Sequence, residues 1–329
     1  MASLLIATAC GQPSDTSTAP NSPTSAVTSP VASPAPETAT HSAGKAKINI
    51  NDAILSELDR VEAKLGIAGL SNQIQAGRPY TKIEDLVSKK VITQAQFEQV
   101  KDMVSIETVV LTGEAKDIDY MLKLGLMKGH MLVAKELIDL KQPKQAEPHI
   151  GHPVEEIYAD VEDQLKERNV KEFKSTLIKL QDLVKSKPND PTVANTFAEA
   201  VVAIDGAIAV LPETQRQSPK FTLQVINGLL DTAGTEYTAA IADNKVKEII
   251  EYQDSRGFVI YAEQLYKVIE PQMQKQHPDE HTKFSASMAK LKTNWPTAIA
   301  PATPVLTPAQ VSELIKGNET VATKVYSKS

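Results

Sequence analysis

Phe197-Ala198-Glu199-Ala200-Val201-Val202-Ala203-Ile204-Asp205-Gly206-Ala207-Ile208 places Phe197, Ala200, Val201, Ile204, Ala207 and Ile208 at intervals of three and four residues. That period carries apolar side chains to one face of an α-helix, whereas a strand would need strict alternation. The stretch is bounded by Lys187-Pro188-Asn189-Asp190-Pro191 on one side and Leu211-Pro212 on the other. Both combine proline with polar or capping residues and read as loops. Farther out, Gln142-Pro143 and Ser218-Pro219 punctuate the chain in the same way. Candidate helices fall near 116–125, 127–141, 153–168, 170–187, 191–210, 219–242, 245–275 and 279–294, and no strand pattern competes with them. Long amphipathic helices joined by short loops pack as antiparallel neighbours in a bundle. Composition agrees, since 41% hydrophobic residues with only 5% aromatic ones must build an aliphatic core. The expected fold class is all-α: a small module at 45–106, a larger helical bundle at 112–295, and a Pro-rich linker with a short C-terminal helix at 296–329.

The N-terminal region has a different character. Leu4-Leu5-Ile6-Ala7-Thr8-Ala9 ends on the single cysteine, Cys10. A short apolar run closing in small residues before cysteine resembles a bacterial lipobox, with residues 1–10 a shortened lipoprotein-type signal lacking its basic flank. Lipidation of Cys10 would tether the chain, each buried CH₂ contributing roughly 0.8 kcal/mol. Residues 11–44 are almost wholly Pro, Ser, Thr and Ala. Such a composition buries too little to offset its ordering entropy and suits a spacer. The expected location is exported, in the cell envelope or periplasm, with the membrane as a partner through the lipid anchor.

In the small module, Ala53, Ile54, Leu58, Val61 and Leu65 recur at helical spacing, and Thr81…Glu84 and Thr93…Gln96 read as capping boxes. Ala76-Gly77-Arg78-Pro79-Tyr80, followed by Ile83-Glu84-Asp85-Leu86-Val87 and Lys89-Lys90-Val91-Ile92, resembles helix-hairpin-helix domains of the ComEA/PsbU type over about 46–106. The resemblance implies hairpin amides aimed at DNA phosphate, here those of Gly66 and Gly69, with Lys64, Arg78 and Lys82 as positive support. It equally implies a docking role like that of the photosystem subunit, with a protein partner. The first hairpin, Leu65-Gly66-Ile67-Ala68-Gly69, has alanine at one family glycine, and Val91-Ile92-Thr93 has no glycine. A net charge of −6 excludes a strong nonspecific hold on nucleic acid.

The bundle carries most of the histidines, several of them beside carboxylates. His130 shares a helical face with Met127, Met131 and Ala134, while His149 and His152 stand three apart in Glu147-Pro148-His149-Ile150-Gly151-His152-Pro153-Val154-Glu155-Glu156. His130, His149, His152 and Glu155 are therefore candidate ligands for a transition-metal ion, since imidazole and carboxylate suit Zn, Fe, Cu or Ni. His152-Pro153-Val154-Glu155 and His277-Pro278-Asp279-Glu280 also read as ordinary helix starts. There is no phosphate loop, no Gly-x-Ser-x-Gly elbow and no His-Glu-x-x-His motif, so catalysis and a small-molecule substrate are not expected. Three functions remain at this level: a tethered extracytoplasmic protein binding metal through His and Glu, ComEA-like surface DNA capture, and a structural docking subunit of a membrane-associated assembly.

Overall fold

The computed structural model describes residues 47–327 apart from 68 and 109; Cys10 and the Pro/Ser/Thr-rich segment lie outside the described residues. The all-α expectation holds. The small module runs β1 (Ile48–Asn49), α1 (Leu55–Leu65), α2 (Leu70–Ala76), α3 (Asp85–Ser88), α4 (Gln94–Val100) and β2 (Val104–Ser105). β1 and β2 pair in parallel, Ile48 with Val104 and Asn49 with Ser105, so the two ends of the module close on each other. Ile50, Leu58, Val61, Leu70, Ile74, Leu86 and Val100 form a core separate from that of the bundle. The Gly77–Tyr80 string acts as its clasp. Tyr80 N donates to Asn51 Oδ1 at 2.7 Å, Asn51 Nδ2 donates back to Tyr80 O at 2.8 Å, and the Tyr80 hydroxyl donates to Ile74 O at 2.8 Å. Thr93 and Gln96 make the capping box expected of them. At the other candidate box, the Asp85 carboxylate rather than Glu84 accepts from Thr81 and Lys82.

The bundle follows as α5 (Gly113–Asp139), α6 (Pro143–Ala146), α7 (Pro148–His152), a π-helical turn (Pro153–Ile157), α8 (Tyr158–Glu167), α9 (Lys174–Ser186), α10 (Thr192–Ala209), α11 (Glu213–Arg216), α12 (Pro219–Ala240), α13 (Ile249–Gln276), α14 (Pro278–Lys292) and α15 (Pro308–Tyr326). α12 packs on α13, α13 on α14, α14 on α15 and α15 back on α12, a closed ring of four helices. α5 lies against α12 and α13 and links this ring to the smaller helices α6–α10. α10 is the helix among the described residues long and apolar enough to cross a membrane, by length and composition. Its Phe197, Ala200, Ile204, Ala207 and Ile208 are buried in the bundle core.

Three sequence expectations change. Residues 116–125 and 127–141 form one helix, because Gly125 does not break α5 but makes room there for Tyr261 and Leu229. Between α12 and α13, Ile241–Ala242 (β3) and Lys245–Val246 (β4) form a small antiparallel hairpin. Its turn residues Asp243 and Asn244 have φ of 52° and 56°, the left-handed pair that two-residue hairpins use. Pro153 starts no helix: the chain stays helical from Pro148 to Glu167 and absorbs the proline in the π-turn.

α5 and α13 meet backbone to backbone. A Cβ on Gly257 would lie 2.3 Å from Gly129 O, and one on Gly129 would lie 2.6 Å from Phe258 Cδ1. Around the crossing, Arg256 Nε donates to Glu136 Oε2 at 2.9 Å, and Ala298 N donates to Glu136 Oε1 at 2.9 Å, fixing the loop after α14 to both helices. Gly257→Ala should destabilise the protein by about 1–3 kcal/mol, despite alanine's better helix propensity, because backbone has no rotamer by which to yield. Chemical denaturation with circular dichroism would read this; unchanged stability would show that the helices can separate freely.

Candidate metal centre

The crossing places His130 of α5 beside Asp254 of α13, one turn before Gly257. His130 Nδ1 lies 2.6 Å from Asp254 Oδ1, His149 Nδ1 lies 2.7 Å from the same oxygen, and His152 Nδ1 lies 3.5 Å from Oδ2. The three histidines predicted to share a site are thus brought together around one carboxylate that had not been singled out. The rings of His130 and His152 pack edge to face at 5.4 Å, and Phe258 closes the other side of His130 at 5.0 Å.

The histidines are not equivalent. His149 is fully buried, and its Nε2 meets Gln253 Oε1 at 2.8 Å. Gln253 Nε2 donates to Gln145 Oε1 and to Ala298 O, which orients the amide so that its oxygen faces the ring. His149 Nε2 therefore faces an acceptor and its Nδ1 faces Asp254, and His149 is not among the residues whose ligand atoms lie mutually close. His149 positions Asp254. His130 Nδ1, by contrast, is buried and touches Asp254 without hydrogen-bond alignment. His130, His152 and Asp254 each offer a ligand atom, all within 4.8 Å of one another. Imidazole and carboxylate together suit first-row divalent metals, iron among them.

Glu155 is the predicted ligand that fails to arrive. It is exposed, whereas Glu156 lines the cavity beside His152. The cause is the π-turn: its wider winding advances each residue by less than 100°, so the position four after His152, not three, returns to its face.

The cavity holds about 170 Å³ and also takes Asp59 from α1, Glu236 from α12 and Glu251 from α13. Burial pulls the His130 imidazole below its ordinary pKa, with Asp254 opposing. Burial also acts to lower His152, but its contact with Asp254 and the charges of Asp254, Glu156 and Glu251 carry it up to about 9. For Asp254, burial is outweighed by His130 and His149, and its carboxyl titrates well below the usual range. The other carboxyls go the opposite way: burial raises Glu156, Glu251 and Glu236, and pushes Asp59 up to about 7 with Glu62, Glu251 and Glu156 adding to it.

The helix-hairpin-helix residues do something else. Gly66 and Gly69 adopt the left-handed φ of 65° and 73° that the hairpin requires. The amide of Gly69 donates to Glu62 Oε1 at 3.0 Å and that of Ser71 to Glu62 Oε2 at 3.0 Å, so a carboxylate of the same chain occupies the place a phosphate would need. Arg78 turns inward and donates to Ile50 O and Ala53 O, leaving Lys64 and Lys82 as isolated exposed charges.

Residues 212–329 match the family described as the iron permease-associated 4-helix bundle domain. These residues contain the closed ring α12–α15, and with it Asp254, Glu236 and Glu251. No curated protein matches the chain, and no solved structure does. The match is to an iron permease-associated domain and not to a helix-hairpin-helix domain, which overturns the ComEA/PsbU assignment with the DNA capture and docking role drawn from it, and points to membrane iron transport instead of the tethered binding protein expected from the signal and the histidines. An iron permease-associated domain is compatible with an exported or cell-envelope location.

Burying Asp59 so that it keeps its proton has a consequence with a definite sign. A carboxyl raised from 3.8 to about 7 contributes stability below pH 4 that is lost as pH rises through 7. Thermal denaturation of metal-free protein should show Tm falling between about pH 4 and pH 7 and levelling above, and Asp59→Asn should flatten that fall. Parallel profiles for the two proteins would count against a buried, protonated Asp59.

Proposed function

We propose that this chain binds iron at His130, His152 and Asp254 and serves a membrane iron-transport system. The observation that carries the reading is that Asp254, inside the segment matching an iron permease-associated domain, is the carboxylate on which the two available histidines converge. Two nitrogen donors and one oxygen donor leave coordination positions open toward the cavity, as suits an ion that must be taken up and passed on. His149 and Gln253 hold Asp254 from behind, in the manner of partners that orient a ligand without touching the metal. Uptake is expected to release protons, because His152 must give up the proton that its acidic neighbours favour before its nitrogen can bind iron.

The same reading supports a place in the cell envelope, and Cys10, as the candidate lipidated residue, would keep the bundle near a permease. Membrane fractionation of a Cys10→Ala variant would test the anchor separately from the metal.

Anaerobic titration of the metal-free full chain with ferrous iron should show binding, with one bound ion per chain lost in a His152→Ala, Asp254→Asn double variant. His149→Ala, which removes only the supporting residue, should weaken binding by about 10–100-fold. Unchanged affinity in the double variant, or no iron binding by the parent protein, would overturn the proposal.

A further inference from the structure

The three-ligand group accounts for only one part of the cavity. Asp59, Glu236, Glu156 and Glu251 also line it, no lysine or arginine does, and none of these four belongs to the group of mutually close ligands. Glu236 is the informative residue. It sits well inside α12, its side chain is 4% exposed, and no hydrogen bond or ion pair reaches its carboxyl among the described residues. A buried acid left without a partner is costly unless a proton or a cation joins it. Opposite it stands Asp59, the contribution of the small module. The Ser71 hydroxyl fixes Asp59 Oδ1, leaving the other carboxyl oxygen for the cavity. The charge of Asp59 bears on Glu236, and Glu251 adds to both.

We propose that the cavity has a second cation position, held between Asp59 of the module and Glu236 of the bundle, with Glu251 adding negative charge beside them. It rests on the iron-binding reading of the neighbouring site. The donors here are all oxygens, so the position favours a harder ion than the His/Asp site does: manganese or ferrous iron rather than a soft metal. Space allows it, since about 170 Å³ is several times the roughly 30 Å³ that one water occupies in the liquid. The inference also gives the module a function in place of nucleic-acid binding. Docking α1 against α12 carries Asp59 to the cavity, and the Leu55 N–H donates to Glu156 at the same junction.

The metal-free full chain, loaded with ferrous iron alone and in a parallel sample with Mn²⁺ alone, then desalted, is assayed for metal per chain by mass spectrometry. We expect two ions per wild-type chain with iron. Asp59→Asn and Glu236→Gln should each hold one, and His130→Ala with His152→Ala should retain one that manganese can replace. Both carboxamides are close in shape to the protonated acids that the apo fold buries, and circular dichroism confirms folding. One ion in the wild type and one in Asp59→Asn would overturn the second position while leaving the first. Two ions in every carboxamide variant would overturn the assignment of its ligands. No iron in the wild type would overturn both readings together.

Discussion

The contact on which this structure depends is the crossing of α5 and α13 at Gly129 and Gly257. With the Cβ position of Gly257 only 2.3 Å from a carbonyl of the facing helix, any side chain there would push the axes apart. What the glycines give up in helix propensity, about 1 kcal/mol each, is offset by the packing they permit. Their neighbours use the same closeness. His130 follows Gly129, Asp254 precedes Gly257 by one turn, and a wider separation would carry the His130 imidazole away from the carboxylate that His149 also holds. The hydrophobic faces hold the bundle together, but the glycines decide that this point of it is polar.

Around that point the protein arranges its charges in two layers. Asp254 is surrounded by three histidines and kept ionised, while the buried Glu236 and the half-buried Asp59, Glu156 and Glu251 are biased toward the protonated form. Carboxylates a few ångströms apart with no lysine or arginine among them cannot all ionise in a low-dielectric cavity. A multivalent cation bound there would balance these charges by displacing protons.

How far this was legible beforehand differs element by element. The proline breaks, the capping boxes at Thr93 and Thr307, and the aliphatic face of α10 are local signals, and local signals survive in a sequence. The convergence of His130, His149 and His152 was a matter of spacing plus the assumption of a bundle. Asp254 was not visible, because it lies a hundred residues away in Tyr252-Gln253-Asp254-Ser255, a polar run that reads as a solvated helical face. The one hint was Gly257, a helix-interior glycine beside it with no turn to make. Glu155 was preferred to Glu156 because regular winding was assumed, and a π-turn is not written in composition. The Leu65–Gly69 hairpin is legible in its local shape and misleading about chemistry: its left-handed turn forms, yet Glu62 fills the amides that follow.

That last substitution explains how a hairpin module can be retained without nucleic acid. A hairpin whose amides are already satisfied by an internal carboxylate is rigid but electrostatically spent, and it has no orphan donors to offer a phosphate. Rigidity is still useful. Glu62 anchors Ser71 through its backbone amide, and the Ser71 hydroxyl in turn holds Asp59, so the internal carboxylate that closed the phosphate site now orients an acid one turn earlier on α1 toward the bundle. The module thus presents an inward-facing carboxylate to the cavity, which attracts positive charge rather than a phosphate.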